Sequence, residues 1–308
     1  SRLYHDGNVD TAFGQNGKVH YHEPAYEKML PFDAAFQSDG KLVVVGDVLK
    51  INSTIPAMLA CRFDLSGAID TSFGDVATPG CRAIGSPFGL RAHAESVLIQ
   101  SDDKIVLAGK VLDAEASLDR AAVVRLLSVG TQDAGFGNQI SLAHKGVRIL
   151  FQDETNNFFL TDITQAPQPD GGLVGTGYNS YSFGTKYRSF AVKMRVQDGA
   201  MEPSFNGIGA VNIPTSGSWN DIKARSVKVL PDGAVLVAGE LKLSQDNKHN
   251  AFFSAKLNAS GGVYPGFGSG GAHAYNTCAK PCSMNARDLQ IYDDGSFAIV
   301  GTQLVEQD

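Results

Sequence analysis

Internal repetition restricts this chain more than any other feature. The run Asn8-Val9-Asp10-Thr11-Ala12-Phe13-Gly14 returns as Ala68-Ile69-Asp70-Thr71-Ser72-Phe73-Gly74, and weaker copies occupy 131–137, 200–205 and 262–268. The five phenylalanines at 13, 73, 136, 205 and 267 are 60, 63, 69 and 62 residues apart. A period of that length marks stacked supersecondary units, none of which can bury its apolar face alone.

A second block follows each of these. Gln37-Ser38-Asp39-Gly40-Lys41 precedes the apolar run Leu42 to Val45 and Gly46, and the pattern recurs around Asp102-Asp103, Asp170-Gly171, Asp232-Gly233 and Asp294-Gly295. Asp and Gly tolerate the positive φ of a tight hairpin, so five hairpins are expected. A third apolar run (Met58 to Phe63, Ala122 to Leu126) and a fourth (Gly146 to Leu150) give four short strands per repeat. Runs such as Leu42 to Val45 are continuously apolar, which predicts strands covered on both faces, as blades packed around an axis would be.

The expected fold is all-β: residues 1–308 as one five-bladed β-propeller of four-stranded blades, with about sixty residues per repeat. Arg2-Leu3 reads as the tail of a third strand, and the chain stops just past a second strand at Gly301 to Leu304. Residues 1–22 are therefore expected to complete the blade begun near 286 and close the ring; an open solenoid would need capping repeats instead.

Composition agrees. The 34 glycines, 43% hydrophobic content and only 19% charged residues suit a turn-rich β protein. The net charge is −6 and no Lys/Arg run occurs, which excludes a phosphate-tracking or anionic-membrane surface, so nucleic acid is not an expected partner. No stretch of eighteen apolar residues could span a bilayer, and Ser1-Arg2-Leu3-Tyr4 is not an export leader. Cys61 with Cys81 and Cys278 with Cys282 form two local pairs, expected as disulfides, and place the chain in an extracytoplasmic compartment.

The succession Arg-Leu, Gly-x-x-Asp-x-x-Phe-Gly, Asp-Gly-Lys, then Val/Ile/Leu ending in Ala/Val-Gly resembles the bacterial delta-60 repeat, a propeller-forming family. The resemblance covers essentially the whole chain. Copies one and two fit it well; in later copies Gly172 replaces the lysine, and Glu202-Pro203 and Tyr264-Pro265 replace Asp-Thr. It implies an exported or surface-attached bacterial protein and transfers no functional residues.

Motifs that suggest chemistry mostly reduce to the repeat. Asp10, Asp70 and Asp133 occupy equivalent turns of separate repeats, as do Asp39, Asp102, Asp170, Asp232 and Asp294, so they read as turn-stabilising. Gly266-Phe267-Gly268-Ser269-Gly270-Gly271 matches a dinucleotide fingerprint, but it is the fifth Phe-Gly turn with no helix to receive a pyrophosphate. His20-x-His22 puts two imidazoles on one face without a third ligand. No cofactor and no metal is expected.

Specificity is expected in the loops. Phe88, Arg91 and His93, Asn157 and Phe158, Tyr178, and Trp219-Asn220-Asp221 combine rings, amides and charges in the manner of a glycan- or protein-recognition surface. Aligning inner strands on the Asp-Gly turn puts Asp33, Ser96, Thr164, Ser226 and Asp288 in one ring, with Phe32, Glu95, Ile163, Arg225 and Arg287 one residue earlier. The main expectation is a non-catalytic binding module that uses this face. The alternative is a glycoside hydrolase or lyase using Asp33, Glu95 and Asp162 as acid and base, which resembles five-bladed glycoside hydrolases and needs two carboxyls about 5 to 9.5 Å apart. A structural spacer in a larger surface protein is the third reading.

Overall fold

A computed structural model describes residues 1–137, 145–151, 155–181, 186–215, 221–242, 250–275 and 282–305. Among the described residues there is no helix. The chain divides into two compact units: residues 1–117 with 123–148, and residues 118–122 with 149–308.

In the first unit, β1 (Tyr26–Phe36), β2 (Leu42–Lys50), β3 (Ala57–Phe63) and β6 (Cys81–Ile84) form an antiparallel sheet in that order. The short strands β4 (Gly74–Asp75) and β5 (Thr78–Pro79) pair within the Phe73 turn. The next sheet is a second meander, β7 (Ala92–Ile99), β8 (Ile105–Asp113), β9 (Leu118–Leu126) and β10 (Val147–Ile149). The second unit holds β11 (Asn157–Gln165), β12 (Leu173–Tyr181), β13 (Lys186–Met194) and β14 (Ala210–Asn212), then β15 (Ile222–Val229), β16 (Val235–Lys242), β17 (Asn250–Leu257) and β18 (Ala272–Tyr275). A final hairpin, β19 (Cys282–Ile291) and β20 (Phe297–Val305), follows.

The double-sided burial expected of the apolar runs is present in the second and fourth repeats, whereas Leu42 and Val44 of the first and Phe297 to Ile299 of the fifth are half-buried. Ile105, Val106, Leu107 and Ala108 are all fully buried, as are Val235 to Ala238. In the second unit Val174, Ala191, Phe205, Ile222, Val227, Val237 and Phe253 share one core between consecutive sheets.

Each inner strand carries a β-bulge, between Pro31 and Asp33, Ala94 and Ser96, Leu160 and Asp162, Ala224 and Ser226, and Ala286 and Asp288. The bulge brings the inner strand's backbone against the glycine that ends each apolar run. A Cβ on Gly46 would lie 1.9 Å from the Leu30 carbonyl oxygen, and one on Gly109 2.0 Å from that of His93. Gly177, Gly239 and Gly301 meet the same obstacle, so no side chain fits there.

The Asp-x-x-Phe block is a structural staple. Arg62 and Arg125 each place Nε 2.9 Å from Asp70 and Asp133, and their guanidinium groups lie over the Phe73 and Phe136 rings at 4.9 and 4.4 Å. Burial opposes ionisation of Asp70, but Ser72, Lys41 and Arg62 outweigh it and hold the carboxyl down at about 2. Phe13 and Phe73 pack on Gly67 and Gly130 of the following repeat.

Two expectations change here. The fifth repeat shows two strands among the described residues: β19 and β20 pair only with each other, Val300 and Leu304 are exposed, and no closed sheet is formed. Residues 1–22 instead pair locally, Leu3 with Val9, and bond repeat one through Gly14 N–H to the Ser66 carbonyl and Arg2 Nη1 to the Leu65 carbonyl. The second change concerns the third repeat. Its hairpin holds seven residues (166–172) between paired strands where the first holds five (37–41). The register therefore puts Asp162, not Thr164, in line with Asp33, Ser96, Ser226 and Asp288, and Thr161, not Ile163, in line with Glu95 and Arg225.

Candidate functional site

Cys61 and Cys81 lie opposite each other on β3 and β6 and are bonded, with Cα atoms 4.1 Å apart. Cys282 is buried at the start of β19; its expected partner Cys278 lies outside the described residues, as do Trp219 and Asn220. His20 and His22 are exposed and belong to no strand.

In the first unit the post-bulge aspartate serves the backbone. Asp33 accepts Ala34 N–H through one oxygen and, at 2.8 Å, Val97 N–H of the neighbouring inner strand through the other. Glu95 instead joins a clamp on His93. Nδ1 of His93 is 2.5 Å from Asp47 and Nε2 is 2.8 Å from Glu95, while Phe32 meets the ring edge-on at 5.0 Å. Only a doubly protonated ring donates to both carboxylates. Burial pulls the imidazole's pKa down, but the hydrogen bonds to Asp47 and Glu95 prevail and raise it to about 9. Phe88 is half-buried in the turn before β7 and Arg91 is exposed at its end. An apolar cavity of about 460 Å³ in this unit is lined by Met29, Pro31, Val44, Leu59 and Phe63 and by none of the cluster's side chains.

In the second unit two carboxylates converge. Asp162 accepts Ile163 N–H at 2.8 Å through Oδ1, and Val227 N–H at 2.8 Å and the Ser226 hydroxyl at 2.9 Å through Oδ2. Asp288 Oδ1 lies 2.9 Å from the same hydroxyl. Lys228 Nζ stands 3.7 Å from Asp162 and 3.6 Å from Asp288. Ser226 is buried, the Asp162 side chain is 14% exposed and that of Asp288 66%. A hydroxyl donates one proton, so Ser226 can bond only one of the two acids at a time.

Further along β15 lies a second cluster. Tyr178 stacks on Phe159 at 4.9 Å and meets Tyr187 edge-on at 5.5 Å. Lys223 Nζ is 3.9 Å from the Tyr187 ring centre and 5.7 Å from that of Tyr178, over which Arg225 also lies at 5.4 Å. Arg225 pairs with Glu240 at 2.7 Å and Lys242 with Asp221 at 3.4 Å. Burial lowers the pKa of Lys223, Glu240 pulls the other way, and Arg225 adds to the lowering.

Of the loop candidates, Tyr178, Arg225 and Asp221 thus gather around Lys223. Asn157 accepts Asp119 N–H and donates to Ser180, and Phe158 stacks on Phe151 at 4.6 Å beside buried Phe190, so both are engaged in packing. Arg287 is exposed at the bulge of β19. Sequence reasoning passed over Asp47, Tyr187, Lys223 and Lys228, whose significance comes from tertiary neighbours; the Pro167-x-Pro169 pair was the available sign of a longer third hairpin.

A family described as "Domain of unknown function (DUF5122) beta-propeller" matches residues 37–73 and 100–136, which supports a β-propeller family. No curated protein sequence matches the chain. Among solved structures, the alpha-L-arabinofuranosidase Arb93A of Fusarium graminearum, complexed with an iminosugar inhibitor, is similar at 8% identity and TM-score 0.51, covering 91% of this chain and 70% of that one. An endo-arabinase from Bacteroides thetaiotaomicron is similar at 11% identity and TM-score 0.46, covering 93% and 96%. A levansucrase mutant of B. megaterium is similar at 8% identity and TM-score 0.46, covering 90% and 82%. The fold is therefore propeller-like. The expectation of a non-catalytic binding module is corrected by the arabinofuranosidase, a chain of similar fold that is named as a glycoside-cleaving enzyme.

Proposed function

We propose that this chain is an extracellular glycoside hydrolase whose cleaving pair is Asp162 and Asp288. The observation that carries this is their meeting on one hydroxyl: each has an oxygen 2.9 Å from Ser226 Oγ, so those oxygens are separated by no more than twice that distance. Retaining glycosidases use two carboxyl groups about 5 to 5.5 Å apart, and inverting enzymes need about 6.5 to 9.5 Å for a water. The bound lies below the inverting range and admits the retaining one. Asp162, oriented by two backbone amides, acts as nucleophile on the anomeric carbon. Asp288, open to solvent, protonates the leaving oxygen and then activates water for the second step. Lys228 offsets the charge of Asp162 and, once Asp288 has given up its proton, that of Asp288.

Asp33 and Glu95, also expected as catalytic acids, are read as structural: Asp33 accepts two backbone amides as Asp162 does but, among the described residues, shares no hydroxyl with a second acid, and Glu95 is held by His93. The Cys61–Cys81 disulfide suits an oxidising, extracellular setting.

The same reading keeps the five-bladed closed ring. Its support is local: Arg2 N–H bonds the Gly17 carbonyl and Asp10 N–H the Arg2 carbonyl, as Arg62 does with Gly80 and Asp70. Residues 2–17 thus have the geometry of the ends of a third and fourth strand, which the β19–β20 hairpin lacks.

The test is reducing-sugar release from a panel of neutral and acidic polysaccharides, with proton NMR of the first product. The wild type should release sugar with the anomeric configuration retained, and Asp162→Asn and Asp288→Asn should each lose at least about a thousandfold in kcat with unchanged circular dichroism. No release from any substrate, or full activity in Asp288→Asn, overturns the proposal.

A further inference from the structure

The second unit holds an ammonium group, that of Lys223, for which the described residues supply no acceptor. Around Lys223 the described residues supply three cations and two carboxylates, and the carboxylates are already taken: Glu240 by Arg225, Asp221 by Lys242. Among the described residues Lys223 has no hydrogen bond and no ion pair; it rests on the faces of Tyr187 and Tyr178. A half-buried charge without an acceptor is costly, and the two ring contacts recover only part of that cost. The local charge balance leaves one positive charge over.

The surroundings fix what could answer it. Tyr187 stands edge-on to Tyr178, so the two rings form a corner with Lys223 in it, and Phe159 backs Tyr178 from behind. Aromatic rings offer apolar contact to the faces of a sugar while their hydroxyl tips stay polar. Lys223 is three residues from Ser226 on β15, about 10 Å along the strand at roughly 3.3 Å per residue. The corner therefore lies within the span of a short oligosaccharide from the Asp162–Asp288 pair.

We infer that Lys223, Tyr178 and Tyr187 form a subsite for a carboxylated sugar, so that the glycan this chain takes contains uronic acid residues. Its substrate preference rests on the hydrolase reading above, but the binding itself does not. The uronate carboxylate accepts from Lys223 Nζ, Arg225 adds positive potential from beside it, and the pyranose ring lies against a tyrosine.

Calorimetric titration of the intact chain with tri-galacturonate and with its fully methyl-esterified form tests this, since esterification removes each negative charge and adds only a methyl group. The acid form should bind at least about tenfold more tightly, a preference that shrinks as salt is raised. Lys223→Met should abolish the preference while leaving affinity for the ester within about twofold, and Lys223→Arg should retain it. Equal binding of both forms, binding of neither, or an undiminished preference in Lys223→Met overturns the inference. Should Lys223→Met fail to fold, Lys223→Arg and the salt dependence decide, and a salt-independent preference counts against the subsite. Acid-selective binding without any cleavage sinks the hydrolase and leaves this site standing. Cleavage of neutral glycans with no acid preference does the reverse.

Discussion

The Asp47–His93–Glu95 clamp predicts a pH dependence whose sign is set by the structure. His93 titrates at about 9 in the folded chain against 6.5 for an unperturbed histidine. The folded state binds the proton more tightly, so the clamp's contribution is full below about pH 6.5 and is lost as pH rises through 9. The shift corresponds to roughly 3 kcal/mol at most, and to about 2 kcal/mol after allowance for solvent screening at a clamp whose Glu95 is partly open. Replacement by His93→Gln keeps the size and removes the titration. Urea unfolding of both proteins at pH 6, 7.5, 9 and 10 should show wild type ahead by about 2 kcal/mol at the acid end and the gap largely closed at the alkaline end. Carbon-13 NMR of His93 should locate its midpoint near 9. A gap that does not change with pH, or a midpoint near 6.5, refutes the reasoning.

Other outcomes follow from the scaffold. Cys61→Ser with Cys81→Ser opens a loop closed by a separation of 20 residues, and should cost about 3 kcal/mol in denaturant unfolding. Gly109→Ala forces a methyl group to within 2.0 Å of the His93 carbonyl oxygen and should cost about 2 kcal/mol or more, whereas Gly85→Ala, where the added Cβ meets nothing within 4 Å, should cost less. Asp33→Ala leaves the Ala34 and Val97 amides without their acceptor, and about 1 to 3 kcal/mol should be lost with no change in any glycosidase activity. Loss of activity in Asp33→Ala with stability intact would return that residue to the catalytic set.

Strand placement was legible because it depends on residues whose backbone chemistry is local. Asp39-Gly40 and its relatives state where a hairpin turns, and the apolar runs after them state which strands are covered on both faces. The glycines closing those runs were visible as a pattern, but their cause was not. They answer a bulge on the neighbouring strand, and that is a tertiary fact. The cysteine pair was legible because Cys61 and Cys81 flank one turn and so fall on adjacent strands. Sequence reasoning failed where the repeat is irregular. Two extra hairpin residues beside Pro167 and Pro169 shifted the alignment, put Thr164 in a place that belongs to Asp162, and hid the pairing of Asp162 with Ser226.

The corrected register shows what the repeat does with its inner positions. Asp33, Ser96, Asp162, Ser226 and Asp288 alternate acid and hydroxyl through five repeats. An aspartate next to a serine can accept the amide just beyond it and the hydroxyl itself, as Asp162 does with Val227 and Ser226. Two adjacent aspartates would instead face each other without a donor, at a cost set by their mutual repulsion. The serine between Asp162 and Asp288 therefore supplies a donor where two acids would otherwise meet, before it serves any reaction. The serine that separates two acids also gives both of them the same hydrogen-bonding partner, and so brings Asp288 to Asp162. Where the acids of the series only accept neighbouring amides, as Asp33 does, the arrangement is a staple. Where one of them, Asp288, stands open to solvent beside Lys228, the same geometry leaves a carboxyl able to meet a substrate oxygen. Chemistry on this scaffold thus needs no new motif, only one member of a structural series left uncovered.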